Sequence, residues 1–222
     1  MKRKPVIAID GPAGSGKSTI AKLVAFALGF HYIDTGAMYR AITLKALREG
    51  TDRKSETALT ELAGRTKIGF EYGAVLKVFI DGADVTEAIR LPEVSKASSD
   101  IADSRGVRQA LVKKQQEMGA AGGVIMDGRD IGSVVFPDAE VKIYLDAAVE
   151  ERAARRYKEL TEKGIKTVLS LVRQDIAERD ERDRNRLFGA LVKVKDAVTV
   201  DTTGLSIEQV TAKINGIIKE KL

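Results

Sequence analysis

The sequence predicts an α/β fold in which a parallel sheet lies buried beneath helices. Short β-branched apolar runs alternate with amphipathic stretches along the chain. The runs lack the in–out alternation of a half-exposed sheet, as expected for strands covered on both faces. Five of them end in or beside an aspartate: Asp10, Asp34, Asp127, Asp146 and Asp201. In sheets of this kind ligands bind beyond the carboxyl ends of the strands, where these carboxylates fall.

Val6–Ile9 is the first strand, stopped by Asp10-Gly11. Lys17–Leu28 places Ile20, Leu23, Val24 and Ala27 at helical spacing. A second strand covers His31–Asp34, and a second helix Met38–Arg48, stopped at Gly50. Residues 68–89 break the rhythm. Phe70, Tyr72, Leu76, Val78, Ile80 and Val85 alternate there with Gly69, Gly73 and Gly82, which predicts two or three inserted antiparallel strands. A helix over Arg105–Met118 closes at a glycine cluster, and strands follow at Val124–Met126, Val141–Leu145 and Ala197–Val200. Ser206, with Gln209 three residues on, has the form of a capping box opening a last helix.

Composition narrows the function classes. The 222 residues carry 37 Lys+Arg against 32 Asp+Glu, a net charge of +5, with 44% apolar residues. A chain of this size buries about 70% of its unfolded surface and needs no staple. There is no cysteine, which excludes disulfides, thiolate metal sites and cysteine nucleophiles and fits a reducing cytoplasm, the expected location. No apolar run approaches the roughly 18 residues of a membrane span. The apolar run after Met1-Lys2-Arg3-Lys4 is too short for a signal peptide. A positive surplus raises nucleic acid as a partner, but six Phe, five Tyr and no Trp are few for a base-stacking platform. Neither nucleic acid nor membrane is the expected partner.

Gly11-Pro12-Ala13-Gly14-Ser15-Gly16-Lys17-Ser18 fits G-x-x-x-x-G-K-[ST] between a strand and a helix. Glycines let backbone N–H groups turn inward around phosphate oxygens, and the helix N-terminus adds partial positive charge. Lys17 reaches the β- and γ-phosphates, and the Ser18 hydroxyl is a ligand for Mg²⁺. The bland alternative is a glycine-rich turn. A guanine-reading N-K-x-D segment does not occur, and the D-x-x-G at Asp201–Gly204 lies on the final strand, too late for a switch region. Val124–Asp127 can pass for the metal-holding strand of an ATPase motor, though little chain is left for a motor's other parts.

A kinase for a small phosphorylated acceptor holds two polyanions head to head and needs arginines beyond Lys17, since guanidinium forks fit phosphate oxygens. Four clusters offer them. Arg40 follows Asp34-Thr35-Gly36 about one and a half turns into a helix, or is an ordinary surface arginine. Arg129 lies between Asp127 and Asp130 in a glycine-flanked loop, shaped for a ligand or closed by an internal ion pair. Arg179, Asp183 and Arg186 fall at about 0°, 40° and −20° around a helix, one narrow face. Residues 173–186 hold five positive and five negative side chains, so a salt-bridged solvated helix is the competing account. Arg152, Arg155 and Arg156 form either a lid over a transferring phosphoryl group or another charged surface.

Together these segments resemble the bacterial cytidylate kinases, a nucleoside monophosphate kinase family. The matching stretches are I-D-G-P-A-G-S-G-K-S-T (9–19, ending at Thr19), D-T-G-A-M-Y-R (34–40), D-G-R-D-I-G-S-V-V-F-P-D-A (127–139), K-I-Y-L-D (142–146) and E-R-D-E-R-D-R-N-R (178–186). The resemblance runs over essentially the whole chain. It implies a P-loop kinase fold, a five-stranded parallel sheet flanked by helices. The boundaries expected are a single domain over 1–222, a small antiparallel nucleotide-binding insert at 66–92 and a short lid at 152–168. It implies ATP with Mg²⁺ as phosphoryl donor, CMP or dCMP as acceptor, and a monomer. Arg40, Arg129 and Arg186 would hold the acceptor's phosphate, with Thr35 and Tyr39 lining the same site. Ser99, Arg108 and Asp130 would read the cytosine edge, and Asp183 and Arg179 the ribose. Lys17, Arg129 and Arg186 would be the catalytic cations. Thr35 stands where a serine is common in the family and keeps the hydroxyl. The acceptor monophosphate, with a second pKa near about 6, is its own nucleophile, so His31, the only histidine, is not needed as a base. The alternative outside this class is a nucleotide-binding module without acceptor kinase activity.

Overall fold

A computed structural model describes residues 3–73 and 75–222. The strands and helices, in chain order, are β1 (Val6–Asp10), α1 (Lys17–Leu28), β2 (His31–Asp34), α2 (Thr35–Arg48), α3 (Glu56–Arg65), β3 (Ile68–Glu71), β4 (Lys77–Ile80), β5 (Ala83–Asp84), α4 (Pro92–Asp103), α5 (Arg105–Gly119), β6 (Val124–Gly128), β7 (Val141–Asp146), α6 (Val149–Glu162), α7 (Leu169–Asn185), β8 (Val198–Asp201) and α8 (Ile207–Lys221). A single π-helical turn, Ile131–Val135, follows β6. The five-stranded parallel sheet has the order β2-β6-β1-β7-β8, and β3-β4-β5 form a separate antiparallel sheet. The five aspartate-ended runs are thus the five strands of the main sheet.

Contacts divide the chain into two compact units. One holds the chain up to Tyr32 together with Gly122–Leu222; the other is the continuous stretch Ile33–Ala121. In the first, β1 is central and entirely buried, paired from Val6↔Val124 to Asp10↔Gly128 with β6, and from Ile7↔Val141 to Asp10↔Tyr144 with β7. Ala153, Val172 and Ile176 pack α6 onto α7, with Val149, Tyr157 and Leu160 around them. The Ser206–Gln209 capping box opens α8 as expected, the serine hydroxyl accepting from the Gln209 amide at 3.3 Å. The lid stretch expected at 152–168 covers most of α6 and the connection to α7.

In the second unit, residues 66–92 contain the small sheet and a 3₁₀ turn at Ala88–Arg90. Two helices absent from the sequence reading, α3 and α4, lie on either side of it in the chain. α3 buries Leu59, Leu62 and Ala63 within a single turn, and α4 buries Val94, Ala97, Ser98, Ile101 and Ala102 along one face. α2 begins at Thr35, three residues before the expected Met38, because the Asp34 carboxylate accepts from the Ala37 amide at 2.8 Å and caps the helix there. At the other end of the chain Arg186 is the residue that leaves α7, with φ −61° and ψ 138°, so its side chain is not placed by helical spacing from Arg179.

α3 approaches α5 at Gly106. A Cβ at that position would lie 1.8 Å from Thr60 Oγ1 and 2.8 Å from Thr60 Cβ. Alanine ordinarily stabilises a helix over glycine; here the overlap with a β-branched side chain decides the sign. Gly106→Ala should lower stability by about 1–3 kcal/mol, read from urea unfolding midpoints, and adding Thr60→Ala should return part of the loss.

Candidate active site

The phosphate loop leaves β1 at Gly11, whose φ of +153° and position 2.0 Å (as an added Cβ) from the Leu145 carbonyl oxygen leave room for glycine only. The loop then turns through Gly14 and Gly16, both at positive φ, into the N-terminus of α1. Ser15 is fully buried and its hydroxyl donates to the Pro12 carbonyl at 3.1 Å. Lys17 Nζ donates to the same carbonyl at 2.6 Å and to Ser15 Oγ at 3.3 Å. Burial first, then the repulsion of Arg129, push the Lys17 ammonium down to about 7, against the pull of Asp127 and Asp183.

Beside the loop, Ser18 Oγ donates to Asp127 Oδ2 at 3.3 Å, and the buried Tyr32 hydroxyl donates to Asp127 Oδ1 at 2.7 Å. A hydroxyl and a carboxylate side by side make an all-oxygen donor set, suited to a hard cation such as Mg²⁺ that keeps most of its coordination for water and phosphate. Directly after β6, Arg129 Nε donates to Asp183 Oδ2 at 2.6 Å, and Arg186 reaches Asp183 Oδ1 at 2.7 Å. Asp183 is 1% exposed. Burial pushes its carboxyl up, but the attraction of Arg129, then of Arg186 and Arg179, outweighs this and holds it below the usual range. Burial likewise lowers Arg129, and Asp183 more than compensates, so the guanidinium stays charged. Arg129, Asp183 and Arg186 are brought together, and Arg179, exposed on α7, is near enough for its charge to act on Asp183 and Lys17. The Arg129 loop thus carries an ion pair made with α7.

Asp130 is buried, and its carbonyl accepts from the Val134 and Val135 amides of the π turn. The turn is held from the other side by Asp10, which accepts from the Ile131 amide at 2.8 Å and the Gly132 amide at 2.7 Å. Burial raises the Asp10 carboxyl to about 7 even against these two donors. Of the three arginines on α6, Arg152 is buried against the phosphate loop, donating to the Ala13 carbonyl at 3.0 Å and pairing with Asp180 at 2.6 Å. Arg155 is tied to Thr202 and Glu151, and Arg156 pairs at the surface with Glu159.

The second unit carries its own set. Thr35 is buried at the start of α2. Arg40 Nη2 lies 3.2 Å from Asp34 Oδ2. On α5, Arg108 is 2% exposed, donates to the Ala102 carbonyl at 3.2 Å, and sets its guanidinium 5.3 Å from the centre of the Tyr39 ring. Ser99 is half-buried on α4. Asp10, Tyr32 and Asp180 were not singled out from sequence; for Asp10 the signal was its place in the series of strand-ending aspartates.

The cytidylate kinase family model matches residues 7–220. The chain belongs to the cytidylate kinase family. It is 50% identical over 222 residues to a cytidylate kinase of Desulfitobacterium hafniense (strain Y51), covering 100% of this chain and 96% of the relative. To one from Enterococcus faecalis (strain ATCC 700802 / V583) it is 52% identical over 216 residues, 97% of this chain and 96% of the relative. Among solved structures, a shikimate kinase from Acinetobacter baumannii in complex with shikimate superposes with a TM-score of 0.50 at 15% identity, covering 98% of this chain and 94% of that one. An uncharacterized protein from Eubacterium ventriosum ATCC 27560 gives 0.55 at 10% identity, over 99% of each chain. The likeness to the shikimate kinase places the chain in the P-loop kinase fold. Among the described residues no helix is long and apolar enough to cross a membrane.

The Asp10 carboxyl binds its proton more tightly folded than unfolded, so stability is lost as pH rises from about 4 through about 7. In Asp10→Asn this loss is absent. The stability difference between wild type and variant should shift in the variant's favour over that range, and urea midpoints that ran parallel would contradict it.

Proposed function

We propose that this chain transfers the γ-phosphoryl group of ATP to CMP or dCMP. The observation that carries the reading is Asp183 holding Arg129 and Arg186 at 2.6 and 2.7 Å in the unit that also carries the phosphate loop. Two guanidiniums fixed on one buried carboxylate form a preorganised anion receptor. In this reading Arg40, Arg129 and Arg186 bind the acceptor's phosphate, with Thr35 and Tyr39 beside it. Ser99, Arg108 and Asp130 read the cytosine edge, and Asp183 and Arg179 bind the ribose. The Arg108 guanidinium against the Tyr39 ring supports a fixed donor for base reading.

The donor's phosphates lie along the Gly11–Thr19 loop, with Lys17 at the β- and γ-phosphates. A polyanion brought next to Lys17 favours its charged form, so binding restores the charge that burial has weakened. Ser18 and Asp127 would hold Mg²⁺, which supplies charge neutralisation between the phosphates. The acceptor's phosphate oxygen attacks the γ-phosphorus in line, and the bond from that phosphorus to the β,γ-bridging oxygen breaks, leaving ADP. Lys17, Arg129 and Arg186 compensate the charge spread over the transferring group. Arg152, Arg155 and Arg156 belong to the 152–168 segment that serves as the lid in this reading. In this reading the protein works as a monomer in the cytoplasm.

An ADP-release assay with CMP, dCMP, UMP, AMP and dTMP tests the proposal. CMP and dCMP should be the preferred acceptors; preference for AMP or dTMP would overturn the base-reading set. ATP binding without turnover of any acceptor would favour the nucleotide-binding module instead. Arg129→Ala should weaken CMP by about 1.5–3 kcal/mol per lost charged hydrogen bond, roughly 10- to 150-fold, and chelation of Mg²⁺ should stop turnover.

A further inference from the structure

Asp180, on α7, is 2% exposed and binds the phosphate loop at a single residue, Ala13. Its Oδ1 accepts from the Ala13 amide at 3.2 Å, while its Oδ2 takes Arg152 Nη1 at 2.6 Å. The same guanidinium nitrogen donates to the Ala13 carbonyl at 3.0 Å, and Arg152 Nε donates to the Ala147 carbonyl at 2.9 Å. Ala13 is therefore held at both its N–H and its C=O by one buried ion pair that joins α6 to α7. The neighbouring Gly14, at φ +76°, runs so close to α6 that an added Cβ would sit 3.2 Å from both the Arg152 Cβ and its carbonyl oxygen.

Three residues further along α7, Asp183 holds Arg129 and Arg186. Residues i and i+3 share a helix face, about 4.5 Å apart along the axis. One rigid helix thus presents two buried carboxylates, the first on the donor-phosphate loop and the second on the arginines assigned to the acceptor's phosphate. A buried ion pair adds little net stability over apolar packing; what Arg152–Asp180 supplies is geometry. We infer that α7 acts as a spacer setting the register between the phosphate loop and the acceptor arginines, with Asp180 as a positioning residue for phosphoryl transfer that acts through Ala13. The inference rests on the proposed reading of the two phosphate sites.

Asp180→Asn tests it, since it keeps the volume and an acceptor for the Ala13 amide but removes the charge that holds Arg152. The measurements are kcat and both KM values in the ADP-release assay, CMP affinity by calorimetry, and the melting temperature. In-line transfer is sensitive to displacements of about 1 Å, so kcat should fall by about 10- to 100-fold. CMP affinity should stay within about twofold, because the Asp183 bonds to Arg129 and Arg186 remain and only the weaker through-space pull of Asp180 on Arg129 is lost. A folded variant with unchanged kcat and unchanged KM for ATP would overturn the inference. So would a parallel fall of kcat and CMP affinity together with a lowered melting temperature, the pattern of a merely structural pair. If Asp180→Asn does not fold, Arg152→Lys, which keeps the charge and shortens the reach to Ala13, carries the same expectations. Absence of CMP turnover in the wild type would instead defeat the proposed function.

Discussion

Everything functional in the first unit depends on how β1 is buried. Val6, Ile7, Ala8 and Ile9 are fully enclosed between β6 and β7, and the strand cannot shift register without moving both neighbours. The fixed strand delivers Asp10 to the π turn and Gly11 to the Leu145 carbonyl at the same edge. From there the phosphate loop has no freedom to start elsewhere. The pairing also sets Asp10 beside Gly128, so that the ends of β1 and β6 bring Lys17, Ser18, Asp127 and Arg129 into one electrostatic neighbourhood.

That neighbourhood is built by alternating buried charges of opposite sign. Asp183 neutralises Arg129 and Arg186, Asp180 neutralises Arg152, and Asp127 is hydrogen-bonded by Tyr32 and Ser18. The cations would otherwise repel one another, as Arg129 repels Lys17, whose ammonium burial has already lowered. Fixing cations on buried carboxylates before a polyanion arrives leaves little reorganisation for binding.

The sheet was legible in the sequence because buried parallel strands leave unalternated apolar runs, and their ends were marked by aspartates. The phosphate loop was legible because its glycines answer a backbone requirement. α3 and α4 went unread although their buried residues recur at helical spacing: α3 shows the pattern over a single turn, and in α4 the small or polar Ala97, Ser98 and Ala102 dilute it. Asp183 could be placed beside Arg179 by helical spacing, but Arg186 reaches it from an extended residue outside the helix. Asp180 was hidden in a run of alternating charges, where periodicity says which face a residue shares but not which partner lies 167 positions away at Ala13. Long-range pairs of that kind are products of the topology and have no local signature.

The division of the chain has a consequence for the order of folding. The second unit is one continuous stretch, Ile33–Ala121, threaded between the two halves of the first. As the chain is synthesised, all of that unit emerges before β6 exists. β1 must wait across 124 − 6 = 118 positions for the partner that meets Val6. Closing so long a loop costs conformational entropy, and prior compaction of the intervening stretch shortens the effective loop. The pairing that fixes the phosphate loop's starting strand is therefore among the longest-range in the chain, and the length of the inserted stretch sets its entropic cost.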